Sequence, residues 1–384
     1  MPASAWKADL DFLAQQLPKL HKNLFFKLPR KDFEAQVRRI SESLPELPDV
    51  EVRTELARLA ASVANGHTWI EAFRGSAVYP IRFRQFPEGF YAVAAIGEHR
   101  RAIGARLVGI GGLGIGDVEK RLVSLVPLET DLMSQTQLPG FLCLADALRG
   151  TRILTGTDRG EFRFEKDGGE FTLTIQSLAA DRQGKLEDRP EGASYETPLY
   201  LSDRQTLYWF RYLGESRALY IQYNSCTEMK SLSFANFTKQ VMETADRNPV
   251  DKVILDVRHN GGGNSQVIAP LIAALKHRPS LRKKGHLFVL TSPFTFSSGL
   301  LNALQFQRQL GAQMVGQPSA QRPNAYGDVR KFQLPNSGLT VAYATKFFRL
   351  APGDSPVVQP DLPVELTARD YFSGRDPVLE RVLR

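Results

Sequence analysis

Residues 287–306 read LFVLTSPFTFSSGLLNALQF, and this stretch decides the fold class. The apolar run from Leu287 to Leu290 is typical of a buried strand, and apolar residues then recur at helical spacing from Leu300. Ser297 and Ser298 lie between the two runs, at a predicted strand-to-helix turn. A serine at this position can cap the helix. It can also be a nucleophile, because the first turn of a helix offers N–H groups to an oxyanion.

The alternation of strand and helix continues on both sides of this stretch. ALYIQYN precedes a predicted helix around 233–246, and KVILDVR precedes another around 265–276. After the serines, AQMVGQ, DVRKFQL and LTVAYATKFFRL read as further strands. This order predicts an α/β core with parallel strands, in which functional groups collect at the carboxyl ends of the strands.

A glycine-rich loop follows one of the predicted strands, in VILDVRHNGGGNS at 253–265. Three successive glycines allow positive φ angles, so their N–H groups can point together at an anion or a carbonyl oxygen. No lysine follows the glycines, which excludes the phosphate-binding loop of nucleotide-binding proteins. Asp256 and Arg258 are predicted to form a structural pair that orients the loop.

The chain ahead of this core divides into two stretches. Residues 1–72 carry leucines, valines and isoleucines at helical spacing, which predicts an N-terminal helical domain. Residues 76–135 are strand-like and predict a small β-rich module, and we assign 136–384 to the domain that contains the α/β core. Within 160–200, two strand patterns in GEFRFEKDGGEFTLTIQSL meet at Asp167-Gly168-Gly169, which predicts a hairpin.

Composition limits the partners and the compartment. The 384 residues are 42% hydrophobic, and the net charge of +8 arises from 49 Lys and Arg scattered among 41 acidic residues. Scattered charges predict a solvated surface without a nucleic-acid patch. No stretch reaches the ~20 apolar residues of a membrane span. The first 30 residues lack an export signal, so we expect a cytoplasmic protein unless a signal was trimmed.

The two cysteines, Cys143 and Cys226, are too few for a disulfide scaffold and lack zinc-binding spacing. We expect both to be reduced and packed in the core. The sequence contains no cofactor-binding or metal-binding motif, and we therefore expect a protein without a cofactor.

His67 is the first candidate for a general base. It follows an Asn-Gly turn in ASVANGHTWIE at 61–71, and a histidine has an unperturbed pKa suited to proton transfer near neutrality. A lone histidine is also a common structural residue. His259 competes with it, because His259 lies inside the glycine-loop motif.

The motifs together carry a family resemblance. LDVRHNGGGNS, TFSSG and NGHT occur in an order that resembles the serine peptidases that include the C-terminal processing (tail-specific) proteases, the tricorn protease core and the interphotoreceptor retinoid-binding protein repeats. The resemblance implies a ClpP/crotonase-like catalytic core and an N-terminal helical domain. It also implies a PDZ-like module in many members, which residues 76–135 match only as a degenerate form.

The resemblance also implies roles for individual residues. Ser297 takes the place of the nucleophile, and the N–H groups of Gly262 and Ser298 take the place of the oxyanion hole. The tail-specific branch uses a lysine where this chain has Arg322, and an arginine cannot accept a proton. We therefore expect Arg322 to bind substrate. The tricorn branch uses a histidine from the region that NGHT resembles, which favours His67 as the base.

Two assignments stay open at this stage. An acid should orient the histidine, and Asp354 is the first candidate, with Asp328 and Glu71 as alternatives. Lys331 is the alternative base if the mechanism uses serine and lysine.

The resulting prediction is a serine peptidase that hydrolyses peptides or unfolded proteins by acyl transfer. An esterase or amidase could use the same groups. A non-catalytic ligand-binding protein is the third possibility, since the retinoid-binding repeats show that the fold also serves carriers.

Overall fold

The computed structural model describes residues 1–182, 184–190 and 192–384 and divides into two compact units. The first unit contains Met1–Ala193 together with Ala325–Phe348, and the second contains Ser194–Asn324 together with Arg349–Arg384. The chain therefore leaves the second unit once, for the hairpin that begins near residue 325, and then returns.

The helices, in chain order, are α1 Ala3–Leu20, α2 Arg30–Ser43, α3 Asp49–Ala61, α4 Ile115–Leu122, α5 Leu132–Phe141, α6 Ala145–Gly150, α7 Leu199–Ser202, α8 Phe234–Arg247, α9 Ala269–Lys276, α10 Ser298–Leu310, α11 Ala368–Phe372 and α12 Pro377–Leu383. The strands are β1 Trp69–Ile70, β2 Ile81–Phe86, β3 Gly89–Ala95, β4 Arg106–Ile110, β5 Leu113–Gly114, β6 Arg159–Lys166, β7 Gly169–Gln176, β8 Tyr208–Leu213, β9 Ala218–Tyr223, β10 Lys252–Asp256, β11 Leu287–Thr291, β12 Gln313–Gly316, β13 Asn324–Gln333, β14 Thr340–Arg349 and β15 Leu362–Pro363. Short 3₁₀ turns lie at Gly97–Ala102, Val123–Leu125, Ala180–Arg182 and Pro279–Arg282.

The first unit contains the predicted N-terminal helices and two sheets. One sheet has the strand order β2-β3-β4-β6-β7, with β5 paired to β4, and the other has the order β1-β14-β13. The hairpin predicted around Asp167-Gly168-Gly169 is confirmed as β6 and β7, with Asp167 and Gly168 at φ angles of 52° and 78°. Positive φ at both central residues is characteristic of the type I′ turn, one of the two common two-residue hairpin turns.

The β-rich part of the first unit extends beyond the boundary that the sequence suggests at residue 135. Strand β6 pairs antiparallel with β4, in a register that places Phe164 opposite Leu107, and β7 then forms the sheet edge. This pairing covers the edge of β4, which would otherwise present unpaired N–H and C=O groups to solvent. Residues 136–176 therefore belong with the preceding module and not with the strands that carry Ser297.

The second unit contains the predicted α/β core. Its sheet has the order β15-β12-β11-β10-β9-β8, in which β15 to β9 are parallel and β8 is antiparallel to β9. Helices α8, α9 and α10 connect successive parallel strands, as the alternating pattern predicts. The α/β assignment of this part of the chain is confirmed.

Apolar side chains cover both faces of this sheet, as expected for parallel strands. Helices α8 to α10 lie on one face and contribute the buried residues Phe234, Phe237, Val241, Leu271, Leu275, Leu300 and Leu304. Helix α12 lies on the opposite face, where its Val378, Leu379 and Val382 pack with Tyr220, Ile254, Leu290 and Val315.

Hydrogen bonds join the loops that leave β10 and β11 at the carboxyl edge of the sheet. The Thr295 hydroxyl donates to the carbonyl of Val257 at 2.9 Å, and the Ser292 hydroxyl donates to that of Arg258 at 2.6 Å. The Phe296 N–H donates to the carbonyl of Asn260 at 2.9 Å. The glycine loop and the serine turn are thus fixed to each other by backbone and side-chain bonds.

Arg258 is the centre of a buried ionic network beneath the glycine loop. Its guanidinium lies 2.6 Å from an Asp256 oxygen and 2.8 Å from an Asp376 oxygen, and it is only 4% exposed. The Tyr220 hydroxyl donates to Asp256 at 2.6 Å, and the Tyr200 ring lies 4.3 Å from the guanidinium carbon. The predicted pairing of Asp256 with Arg258 is confirmed. Asp376, which also caps α12, completes it.

Cys143 and Cys226 are free, buried thiols, as the sequence predicts. No helix in the described ranges has both the length and the apolar character that crossing a lipid bilayer requires.

We expect Asp376→Ala to lower the free energy of unfolding by about 3–5 kcal/mol, because it leaves Arg258 with an uncompensated buried charge. The control is Asp251→Ala, which removes a half-exposed pair with Arg217 and should cost no more than about 1 kcal/mol. Urea unfolding, followed by circular dichroism, measures both. Equal losses in the two variants would contradict a stabilising role for the buried network.

Candidate active site

Ser297 occupies the turn between β11 and α10 in an unusual backbone conformation. Its φ and ψ angles are 51° and −124°, and its side chain does not cap the helix. A residue with a side chain rarely adopts positive φ, and the conformation is held only where the surroundings impose it. The interpretation of Ser297 as a helix cap is therefore wrong. A sharp, strained turn of this kind between strand and helix is how nucleophile elbows expose a serine hydroxyl.

Gln321 holds the backbone of this turn. The Ser297 N–H donates to Oε1 of Gln321, a side chain only 5% exposed. The Gln321 N–H donates to the Ser319 hydroxyl at 3.0 Å, and that hydroxyl donates to the carbonyl of Thr295 at 2.6 Å. The loop after β12 thus holds the serine turn in place through these hydrogen bonds. Within this unit, the Ser297 hydroxyl itself makes no hydrogen bond to a described residue.

Ser298 contributes to the site through both its side chain and its backbone. Its hydroxyl donates to the carbonyl of Gly263 at 2.6 Å and so ties the serine turn to the glycine loop. Its N–H is the first of α10 and donates to no residue of the described chain. A free N–H at the positive end of a helix is a ready donor for an oxyanion.

Gly262 lies directly against the serine turn. A Cβ atom at this residue would come within 2.7 Å of the Ser297 Cβ and 3.1 Å of the Ser298 nitrogen, and the φ angle of 111° also disfavours a side chain. Only glycine lets the loop approach the serine this closely. The Gly262 N–H donates to Asn260 Oδ1 at 2.9 Å.

Asn260 anchors the glycine loop from within the core. Its side chain is fully buried and donates from Nδ2 to the carbonyl of Tyr223 at 2.9 Å, while Oδ1 also accepts from the Cys226 thiol at 3.3 Å. Sequence reasoning assigned no role to Asn260 or Gln321. Asn260 lies inside a recognisable motif, whereas nothing in the local sequence marks Gln321.

His67 is buried in the first unit, with 5% of its surface exposed. Burial lowers its pKa from 6.5 to about 4, while a hydrogen bond with the backbone of Tyr326 acts in the opposite direction. The ring is thus held in the neutral form. A neutral imidazole is the form that can accept a proton.

The turn before His67 is fixed by Glu129, a buried carboxylate that the sequence did not indicate. Glu129 Oε2 accepts from the Gly66 N–H at 2.9 Å and from Asn65 Nδ2 at 3.2 Å. Asn65 Nδ2 also donates to the carbonyl of Tyr326 at 2.9 Å. These bonds hold the Asn-Gly turn rigidly and so determine where the His67 backbone lies.

The three acids considered as partners of His67 are each bound to cations. In the first unit, Glu71 pairs with Lys331 at 3.1 Å and Asp328 with Lys346 at 3.0 Å. The hydrogen bond from Lys331 lowers the pKa of Glu71. The pKa of Asp328 is lowered first by the hydrogen bond from Thr345 and then by the one from Lys346.

In the second unit, the Asp354 side chain is 89% exposed and accepts from Arg322 at 2.6 Å. The two remaining candidates from the sequence, Asp354 and Arg322, therefore form a surface pair with each other.

His259, the competing histidine, stacks on the ring of Tyr200 with centroids 5.7 Å apart and an angle of 15° between the planes. It therefore packs on the same ring that covers Arg258. Across the described ranges, no group of three or more His, Cys, Asp or Glu is arranged to hold a metal ion.

No known protein family profile matches the sequence, and no curated protein matches it either. Solved structures match over nearly the whole chain. A mutant of CPAF aligns with a TM-score of 0.71 at 14% identity, over 99% of this chain and 96% of that chain. Mature CPAF complexed with lactacystin aligns with a TM-score of 0.65 at 13% identity, over 99% of this chain and 98% of that chain.

A photosystem II D1 C-terminal processing protease also aligns, with a TM-score of 0.44 at 13% identity, over 100% of this chain and 97% of that chain. The TM-scores of 0.65 and 0.71 show that this chain shares the fold of the CPAF structures. The predicted α/β fold class is confirmed.

The buried His67 predicts a specific dependence of stability on pH. Its folded-state pKa lies below the unfolded value, so the unfolded chain binds the proton more tightly. The stability contributed by the neutral ring is fully present above pH 6.5 and is lost as the pH falls toward about 4. At ~1.4 kcal/mol for each unit of pKa, we expect a loss of about 3 kcal/mol.

Urea unfolding of the wild type and His67→Gln at about pH 7 and about pH 4 isolates this contribution, because all other groups cancel in the difference. The wild type should lose about 3 kcal/mol more than the variant. A difference that does not change with pH would show that the His67 ring is not held in the neutral form.

Proposed function

We propose that this protein is a serine peptidase that cleaves peptides or unfolded proteins by acyl transfer. The observation that carries the proposal is the strained Ser297 turn, whose hydroxyl is not used as a cap and whose neighbour, Ser298, presents a free N–H. This combination places a nucleophile beside a donor suited to the oxyanion that the attack creates. The shared fold with CPAF and the resemblance of the motifs to tail-specific proteases support the same conclusion.

In the proposed reaction, the Ser297 hydroxyl attacks the carbonyl carbon of a peptide bond. His67 accepts the serine proton and later donates it to the leaving amine, which releases one product and leaves an acyl-enzyme. Water, activated by the same histidine, then hydrolyses the ester. The Ser298 N–H stabilises the oxyanion of each tetrahedral intermediate.

Gly262 is the proposed second oxyanion donor. Its N–H is bonded to Asn260 Oδ1, so the loop must turn this peptide toward the substrate oxygen when it acts. Glycine gives this peptide more backbone freedom than any other residue, and Gly262 already has a positive φ angle. Asn260 would then retain its bonds to Tyr223 and Cys226.

The roles of Arg322 in substrate binding and of Asp354 as the orienting acid remain proposals, and both require the ion pair between these two residues to separate. Arg322 would bind a substrate carboxylate by exchanging it for Asp354, which is exposed and therefore weakly held. Asp354 remains our first prediction for the acid that orients His67, with Asp328 and Glu71 as alternatives. If Arg322 and Asp354 stay paired during turnover, Asp354 cannot serve the histidine.

Separate substitution of the two neighbouring serines tests which of them is the nucleophile. We expect Ser297→Ala to abolish hydrolysis of an unfolded protein such as casein, because only binding and oxyanion stabilisation then remain. Ser298→Ala keeps its backbone N–H and should retain activity, although at a reduced level because the bond to Gly263 is lost. A fluorophosphonate adduct mapped to Ser298, or to no serine, would refute the assignment.

Substrate choice separates the peptidase from its alternatives. Cleavage of a chromogenic ester without cleavage of casein would indicate an esterase on the same site. Absence of both activities in folded protein would favour a ligand-binding role.

The glycine loop can be tested with two adjacent glycines. We expect Gly262→Ala to reduce turnover by ~10²- to 10³-fold, because the new Cβ atom meets the Ser297 side chain and moves an oxyanion donor. Gly261→Ala is the matched control, since nothing lies within 4 Å of a Cβ atom there. Equal turnover for both variants, with unchanged melting temperatures, would show that Gly262 has no role in the mechanism.

A further inference from the structure

Strand β8 forms one edge of the α/β sheet in the second unit. Within the described chain its one neighbour is β9, and the two strands pair without a register shift. The Asn224 N–H donates to the carbonyl of Leu207 at 2.8 Å, which fixes the alternation of the hydrogen bonds along this pair. The N–H and C=O groups of Tyr208, Phe210 and Tyr212 therefore point away from β9, and they bond to no other described residue.

The side chains of β8 do little to shield this edge. The strand reads YWFRYL, with no proline and a single charged residue, Arg211. Proteins commonly protect an edge strand with several charges or with a bulge. The edge strand β2 of the first unit does both, since it carries Arg82 and Arg84 and has an irregular register between Arg82 and Phe83. Three of the four aromatic residues of β8 are only partly buried, so the edge is accessible.

The sequence of β8 is nearly symmetric about Phe210. Because the N–H and C=O groups of Phe210 point outward, an antiparallel copy of the strand can pair with it about a two-fold axis at this residue. Such pairing places Phe210 opposite Phe210 and Tyr208 opposite Tyr212 on one face of the sheet. On the other face it places Trp209 opposite Arg211. Aromatic pairs stabilise neighbouring strands, and an arginine over a tryptophan ring adds a cation–π attraction.

Two exposed charges at opposite ends of β8 favour the same orientation. Arg204 precedes the strand and Glu215 follows it, and neither forms an ion pair with a described residue. In the antiparallel pair, Glu215 of one copy falls opposite Gln205 of the other copy, next to its Arg204. The pairing thus brings opposite charges together twice, whereas a parallel arrangement would bring like charges together.

We propose that β8 is the interface between two copies of this chain, whose α/β sheets join into one continuous sheet by antiparallel pairing about Phe210. The partner is a second copy because the strand matches itself in hydrogen-bonding positions, in aromatic pairs and in charge. A strand of six residues buries less area than a standard interface, so we expect a weak dimer that forms at micromolar concentrations. The interface is independent of the proposed hydrolysis, and its test needs no substrate.

Sedimentation equilibrium of the full chain measures the association, and we expect a monomer–dimer equilibrium for the wild type. Arg211→Glu should raise the dissociation constant of the dimer at least ~10-fold, because both cation–π contacts with Trp209 are lost and two carboxylates come near each other. The control is Lys283→Glu, the same reversal in the exposed loop before β11, three strands away from β8, which should dimerise as the wild type does. A monomer at every concentration, or equal effects of the two reversals, would overturn the proposal and leave the edge to a different partner.

Charge reversal at the two ends of the strand tests the antiparallel orientation. Arg204→Glu and Glu215→Arg should each weaken the dimer by ~3- to 10-fold, because each places like charges together at both ends of the interface. The doubly reversed variant restores opposite charges and should dimerise about as well as the wild type. If the double variant does not recover the affinity that the single variants lose, the proposed pairing is wrong.

Spin labels measure the register of the pairing. Gly214 is exposed and has room for a side chain, while the native thiols of Cys143 and Cys226 are buried and escape labelling. Gly214 lies four residues past Phe210 in each copy, so in the dimer the two Gly214→Cys backbones are ~27 Å apart at ~3.4 Å per residue. Double electron–electron resonance between nitroxides at this residue should give a distance near that value. A different distance in a dimeric sample would contradict pairing about Phe210.

Discussion

The parallel pairing of β10 with β11 is the constraint on which the candidate site depends. Asp256 lies opposite Leu290 in this register, so the two chains leave the sheet side by side at its carboxyl edge. The loops can then bond directly, as the Phe296 N–H does to the carbonyl of Asn260. Each of the two loops needs a glycine where it approaches the other. A Cβ atom at Gly299 would lie 2.4 Å from the Asn260 carbonyl oxygen, so glycine is required there as well as at Gly262.

The sequence predicts the features of this arrangement that depend on residues close to one another in the chain. Apolar runs followed by helical periodicity reveal the strand order along the chain, because each element is stabilised by a buried face with its own repeat. The pairing of Asp256 with Arg258 is also local, since two charges that flank the end of a buried strand must be compensated nearby. The hairpin at Asp167-Gly168 follows from turn chemistry alone.

The parts that the sequence does not predict depend on contacts between distant residues. Asp376 completes the Arg258 network from 118 positions away, and Gln321 reaches the Ser297 N–H from 24 positions away. The extension of the first sheet by β6 and β7 is of the same kind, because a hairpin pattern does not specify which strand it will join. The backbone conformation of Ser297 is a subtler case. A serine before a helix has the same local sequence whether it caps or forms an elbow, and only the supporting loop decides between the two.

The burial of His67 creates a physical requirement for the proposed reaction. Burial favours the neutral ring, which can accept a proton, but a pKa of about 4 means that the ring holds the proton weakly near neutral pH. The imidazolium that forms during acyl transfer would be unstable in the same environment unless a negative charge compensates it. Glu129 accepts from the Gly66 N–H and so fixes the backbone of the turn that precedes the ring. In the proposed reaction, an acid directed at the ring would raise the pKa toward the range in which a histidine both accepts and releases a proton, which is an energetic reason for such an acid that does not depend on the motif.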